Sequence, residues 1–384
     1  MPLSSRKAQR LKYYILSSAL LSWVGGILPG RAQALAPAYS AKTTVLGSPF
    51  IFGVYAQGAA IIDHAPAVSH LVASHPTGLE LNVQRQTTGA APWHNWYKYP
   101  KVGLALVYYD YHNPVLGRSY AASVYMSKAL VRTTRHDLSL RLGTGLAYFS
   151  EHYDLYTNRK NTFIGAPINA TLQLRLEYDV AISPHVGLLL GLALNHYSNG
   201  ATAYPNFGVN LPTLLLGINY YQARLVPVAA SAGALPADVE HNFINISTSL
   251  GYRQRGGGDP HRYWVHSVTV AAGRRLNRKS NVLVGLEGFY DRSLLADLRA
   301  AGPATDVPDV KKASGFVGHE LLVGRLAVVT HLGLFFYSPY KPSQAYYERV
   351  GLKYHFTNLL FGAIDLKAYG AVADVVEFKV GVKL

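Results

Sequence analysis

The chain has no cysteine among its 384 residues. That excludes a disulfide framework, thiolate catalysis and any cysteine-ligated zinc site. Charge is scarce too: 15% of residues are charged, low for a soluble domain of this length. Acidic residues are the scarcer sign, 21 against 36 Lys plus Arg, for a formal net charge of +15. Such a balance raises the question of nucleic acid. No basic run interleaves with aromatics and no binding motif is present, so no nucleic-acid partner is expected. Beyond residue 34, no apolar run is long enough for a transmembrane helix. Glycine (35) and tyrosine (28) are plentiful, and both suit strands that cross a membrane interface.

The N-terminus has a pattern of its own. Arg6, Lys7, Arg10 and Lys12 precede an apolar run from Tyr13 to Leu28, and Ala32-Gln33-Ala34 follows at cleavage spacing. This predicts a secretory signal peptide over residues 1–34 rather than a membrane anchor. Removing its five basic residues leaves +10 on the mature chain. Dispersed positive charge on an exported protein suits an anionic membrane surface.

The rest of the chain alternates. In TLQLRLEYDV, Leu172, Leu174, Leu176, Tyr178 and Val180 face one way, and Thr171, Gln173, Arg175, Glu177 and Asp179 the other. Period two means strand. Many such segments reach ten or more residues, the length that crosses a bilayer at a tilt. The expected fold is all-β, a transmembrane antiparallel β-barrel of about fourteen strands, with twelve to sixteen open. The strands fall near 100–110, 116–128, 136–149, 168–183, 185–199, 210–225, 242–255, 262–274, 280–292, 312–322, 326–337, 345–354, 358–368 and 374–384. Closure satisfies every backbone group in lipid and leaves no edge, which places the protein in a bacterial outer membrane.

The expected division is therefore a signal peptide at 1–34, a periplasmic-side segment at 35–99 and one barrel at 100–384. GLELNVQRQTTG (78–89) can add a strand. Trp93, Trp96, Tyr97 and Tyr99 then read as a periplasmic aromatic girdle, with a carbohydrate-stacking surface as the alternative. The 226–241 linker is long for a periplasmic turn. Polar rows near the C-terminus, including Asp365 and Lys367, or Glu377 and Lys379, read as a lumenal ion-pair network in preference to a transport path.

One strand ends in reactive groups. In VGLLLGLALNHYSN, Val186 to Leu194 at even positions lead to His196 and Ser198 on the same row. The all-large row faces lipid, so both residues point out of the barrel near its extracellular end. Two positions on one strand face stand roughly 6–7 Å apart, within reach of an imidazole–hydroxyl contact. A histidine base activates a serine nucleophile, a third group fixes the imidazole tautomer, and amide donors stabilise the oxyanion. Asn199 and the amides around Gly200 are candidate donors. Taken alone, a His-x-Ser pair is more often a surface histidine at the membrane interface than a catalytic base. Arg159 and Lys160 read either as contacts for lipid phosphates or as a solvated loop.

His196-Tyr197-Ser198-Asn199-Gly200, followed by Pro205-Asn206-Phe207-Gly208, resembles the lipid A 3-O-deacylase family (PagL) and its acyloxyacyl-hydrolase-like relatives. The resemblance is clearest from Asp137 to Tyr221. It implies an outer-membrane serine esterase that removes an ester-linked acyl chain from lipid A or a related glycolipid in the outer leaflet. It implies His196 as general base, Ser198 as nucleophile and Asn199 near the oxyanion, with no cofactor and no metal. Where the family has a glutamate, this chain has Asn210, which can hold the imidazole tautomer but brings no negative charge. The rival readings are a transport barrel and a structural barrel with weakened catalysis.

Overall fold

The computed structural model describes residues 49–224, 241–256, 258–302, 308–340, 344–370 and 372–384. The expected signal peptide and nearly all of the 226–241 linker lie outside them. Sixteen strands are present among the described residues, and they form two closed antiparallel barrels of eight.

The first barrel comprises β1 (Phe50–Ala59), β2 (Thr77–Gln86), β3 (Lys101–Asp110), β4 (Arg118–Arg132), β5 (His136–Phe149), β6 (Ile168–Ala181), β7 (Val186–Ser198) and β8 (Val209–Tyr221). The second comprises β9 (Asn242–Gln254), β10 (Arg262–Asn277), β11 (Ser280–Asp291), β12 (Lys311–Val323), β13 (Leu326–Tyr337), β14 (Tyr346–His355), β15 (Leu360–Tyr369) and β16 (Val372–Lys383).

This overturns the expectation of a single barrel of about fourteen strands. All fourteen expected segments are strands, but β1 and β2 precede them, inside what was read as a periplasmic-side segment. Closure is also different. β8 pairs back onto β1, with Ile51 opposite Tyr221, and β16 pairs onto β9, with Phe378 opposite Leu250. In sequence, the 226–241 stretch that was long for a turn falls between the last strand of the first barrel and the first strand of the second.

Alternation dictates what each barrel buries. On β7, Leu188, Leu190 and Leu192 are exposed on the outer face, while Leu189, Ala193, Asn195 and Tyr197 are buried. An eight-strand barrel is just wide enough for side chains to fill its lumen. In the first barrel, Arg141 and Arg175 both pair with Glu80, at 3.0 and 2.6 Å. An aromatic tier of Tyr109, Tyr111, Phe149 and Tyr197 closes the end above it, with Phe149 and Tyr197 edge-to-face. In the second barrel, Arg349 lies 2.8 Å from both Glu287 and Glu377, Lys379 lies 2.8 Å from Asp365, and Lys367 pairs with Asp374. Buried charges persist when paired like this.

The two barrels touch at both ends. At the short-turn end, the helix Pro92–Trp96 reaches across. The Tyr97 hydroxyl donates to the Leu322 carbonyl at 2.7 Å, and Lys279 sits 5.1 Å from the Tyr97 ring. Burial pushes that hydroxyl's pKa up, so it remains a donor. Trp93 lies against Gly324. The residues read as an aromatic girdle thus include a bracket between barrels. At the long-loop end, the 199–204 turn after β7 meets the tip of β9.

Candidate active site

The outer row of β7 ends in His196 and Ser198, both half-exposed. Its ladder partner β8 places Asn210 directly opposite His196, just before Pro212 opposite Leu194. Side chains in opposed positions of an antiparallel pair stand close enough to touch. Three outward side chains from two neighbouring strands therefore meet without any loop having to fold over them.

They form a linear array. The Asn210 Oδ1 lies 2.8 Å from His196 Nδ1, and His196 Nε2 lies 3.0 Å from Ser198 Oγ. An amide oxygen can only accept, so Nδ1 carries the proton and Nε2 keeps its lone pair. That is the tautomer in which the imidazole accepts a proton from serine.

The surrounding backbone makes room for the ring. Gly208 has φ +74°, and a Cβ there would stand 2.9 Å from His196 Cε1. Its N–H donates to the Phe163 carbonyl at 3.0 Å. His64 reaches over from the β1–β2 loop, with Nε2 3.0 Å from the Phe207 carbonyl.

The two oxyanion candidates are placed differently. The Asn199 side chain is buried inside its own turn, donating from Nδ2 to the Ala203 carbonyl at 3.0 Å. Its Oδ1 accepts from Ala203 N–H at 3.3 Å, and its backbone N–H donates to Asn206 Oδ1 at 3.1 Å. Its donors are thus engaged in shaping the turn. Among the described residues, the Gly200 N–H has no acceptor. Gly200 has φ +63° and presses against Val376 of the second barrel.

Arg159 and Lys160 lie in the β5–β6 loop, where the Lys160 carbonyl bonds His70 at 2.8 Å. Among the described residues, no group of three or more His, Asp or Glu side chains converges as metal ligands would. Sequence reasoning missed Gly208 as the floor under the imidazole, although it stood in the quoted motif. It also missed Gln254, which belongs to the other barrel and carries no local signal.

A serine and a histidine in contact on the lipid-facing side of a closed barrel have the geometry in which an imidazole can activate a hydroxyl. Residues 77–219 match the family model described as lipid A 3-O-deacylase (PagL), and residues 242–384 match acyloxyacyl hydrolase, C-terminal domain. The chain belongs to this PagL/acyloxyacyl-hydrolase-like family of outer-membrane proteins. It is an outer-membrane hydrolase acting on lipid A-like lipids. The boundary between the two matches coincides with the boundary between the two barrels.

No curated protein matches the chain. Among solved structures, it is similar to the outer-membrane enzyme PagL at 16% identity, over 43% of this chain and 97% of that one, with a TM-score of 0.33. It is similar to Neisserial surface protein A at 14% identity, over 46% and 98%, with a TM-score of 0.32. The Acinetobacter baumannii outer membrane protein Omp33 is 10% identical over 88% and 98%, with a TM-score of 0.17.

Proposed function

We propose that Ser198 is the nucleophile of an esterase that removes an ester-linked acyl chain from lipid A or a related acylated glycolipid in the outer leaflet. The observation that carries this reading is the array Asn210–His196–Ser198, with contacts of 2.8 and 3.0 Å on the lipid-facing side.

Ser198 Oγ attacks the acyl carbonyl while its proton passes to His196 Nε2. The Gly200 N–H, together with neighbouring turn amides, stabilises the oxygen that becomes negative. The tetrahedral intermediate collapses, the sugar oxygen departs with the proton held by His196, and the acyl group remains on Ser198. Water then attacks the acyl-enzyme, again losing its proton to His196, and the free fatty acid and Ser198 hydroxyl are restored. Asn210 keeps Nδ1 as the donor throughout. Asn199 holds the turn in shape.

A neutral amide steadies the imidazole tautomer but offers no charge to the imidazolium, which favours a slow enzyme over a fast one. Mass spectrometry of outer-membrane lipids incubated with purified protein tests the reading. Wild type should release a fatty acid from the glycolipid, whereas Ser198→Ala and His196→Ala should release none. Continued release by both variants would overturn it.

A further inference from the structure

The turn that follows Ser198 is held from outside its own barrel. Gly200 and Ala201 take consecutive left-handed conformations, with φ +63° and +65°. Glycine does so freely, but alanine pays a steric cost that surrounding contacts must offset. Within the turn, the Asn199 amide supplies part of that restraint. The remainder comes from the second barrel.

Gln254, the last residue of β9, grips the turn at two points. Its backbone N–H donates to the Ala201 carbonyl at 3.0 Å, and its Oε1 accepts from the Tyr204 N–H at 2.6 Å. Its Nε2 donates to the Asp259 carbonyl, which fixes the side chain from behind. Asp259 is itself tied down. The His261 N–H, the Tyr263 hydroxyl and the His261 ring hold its carboxyl well below the usual carboxylate range. On the other side, Gly200 lies against Val376 and Leu366, and a Cβ at Gly200 would run into Val376.

We propose that the second barrel is a positioning element of the catalytic site, with Gln254 as the positioning residue. It bonds Ala201 and Tyr204, and so fixes where the Gly200 amide stands relative to Ser198. The inference rests on Ser198 being the nucleophile. Oxyanion donors act only when preorganised at the position the charge will occupy, and a shift of 1 Å is enough to cost about a hundredfold in rate. A two-point clamp from a separate rigid cylinder supplies that restraint without crowding the lipid-facing side.

The test uses the full chain in lipid vesicles, with kcat and KM measured on an ester-linked glycolipid. Gln254→Leu keeps the size of the side chain but removes its acceptor. It should lower kcat by about a hundredfold, the cost of a misplaced donor, with KM and the heat-modifiable gel mobility of the folded barrels unchanged. Gln254→Glu keeps an acceptor for Tyr204 and should recover most of the loss. A residue that only joins the barrels would change stability and leave kcat alone.

Val376→Ala loosens the same turn without touching a hydrogen bond and should cost roughly tenfold in kcat, a smaller displacement than the 1 Å case. It decides the matter should Gln254→Leu not fold. Wild-type kcat in folded Gln254→Leu, or in Val376→Ala if that variant must stand in, overturns the proposal. Ser198→Ala runs alongside. If it stays active, the catalytic reading itself is wrong; if it is inactive while the turn variants match wild type, only the positioning role fails.

Discussion

Asn210 sits directly across the β7–β8 ladder from His196, its Oδ1 2.8 Å from the imidazole Nδ1. The ladder itself sets this geometry, so a different side chain at 210 would still face the ring. A carboxylate there would add a charge-assisted bond to the imidazolium that forms as Ser198 loses its proton, and such bonds are about twice as strong as neutral ones.

Asn210→Glu is accordingly expected to raise kcat by about tenfold, the rate equivalent of roughly 1.4 kcal/mol. Asn210→Leu, which offers no acceptor, should lower it by a similar factor or more. Steady-state kinetics on an acylated glycolipid measures both. An unchanged rate in both variants would remove Asn210 from the mechanism.

Gly208→Ala should be folded but nearly inactive. The added methyl meets His196 Cε1 at 2.9 Å, on a residue whose φ is +74°. The imidazole has to move, and a displacement near 1 Å costs about a hundredfold. Heat-modifiable mobility reports the fold while fatty-acid release reports the site. Normal turnover would mean that the ring tolerates the shift.

Arg349→Met should destabilise the second barrel by about 3–5 kcal/mol, the usual cost of leaving buried charges unpaired. Glu287 and Glu377 both lie 2.8 Å from its guanidinium, in a lumen where Arg349 is fully buried. The temperature at which the folded band is lost on a gel should fall. Removing Glu287 and Glu377 together with Arg349, as a triple change to apolar residues, should recover much of that loss.

Tyr97→Phe should cost only about 1 kcal/mol, the net worth of one neutral hydrogen bond. It deletes the 2.7 Å contact to the Leu322 carbonyl that links the barrels at their short-turn end. Thermal unfolding should shift slightly, with kcat intact, because the Asn210–His196–Ser198 array lies at the long-loop end of the first barrel and Tyr97 at the short-turn end.

Strand positions were legible because period-two alternation survives in each segment separately. Which strand closes onto which was not. The row Ile51, Gly53, Tyr55, Gln57 faces inward whether β1 pairs with β8 or stands at the start of a larger cylinder. Alternation records the face of a residue and not its neighbour across the ladder. β1 was overlooked and β2 was raised only as a possible extra strand over 78–89, but the outward face of His196 and Ser198 follows from residue parity within β7 and does not depend on the count. Asn210 entered through the resemblance, as the position where the family carries a glutamate; row parity put it on the face of His196, and the ladder sets it opposite that residue. Gln254 was beyond reach, since it meets Tyr204 across 50 residues and two separate cylinders.

With Ser198 as the proposed nucleophile, the outward placement of His196 and Ser198 changes what substrate concentration means. A lipid reaching them diffuses sideways within the leaflet and enters no pore. Encounter is two-dimensional, and the quantity that sets the rate is the mole fraction of cleavable lipid in the sheet around the protein. Diluting that sheet with inert lipid should slow turnover, while enlarging the aqueous volume should leave it unchanged.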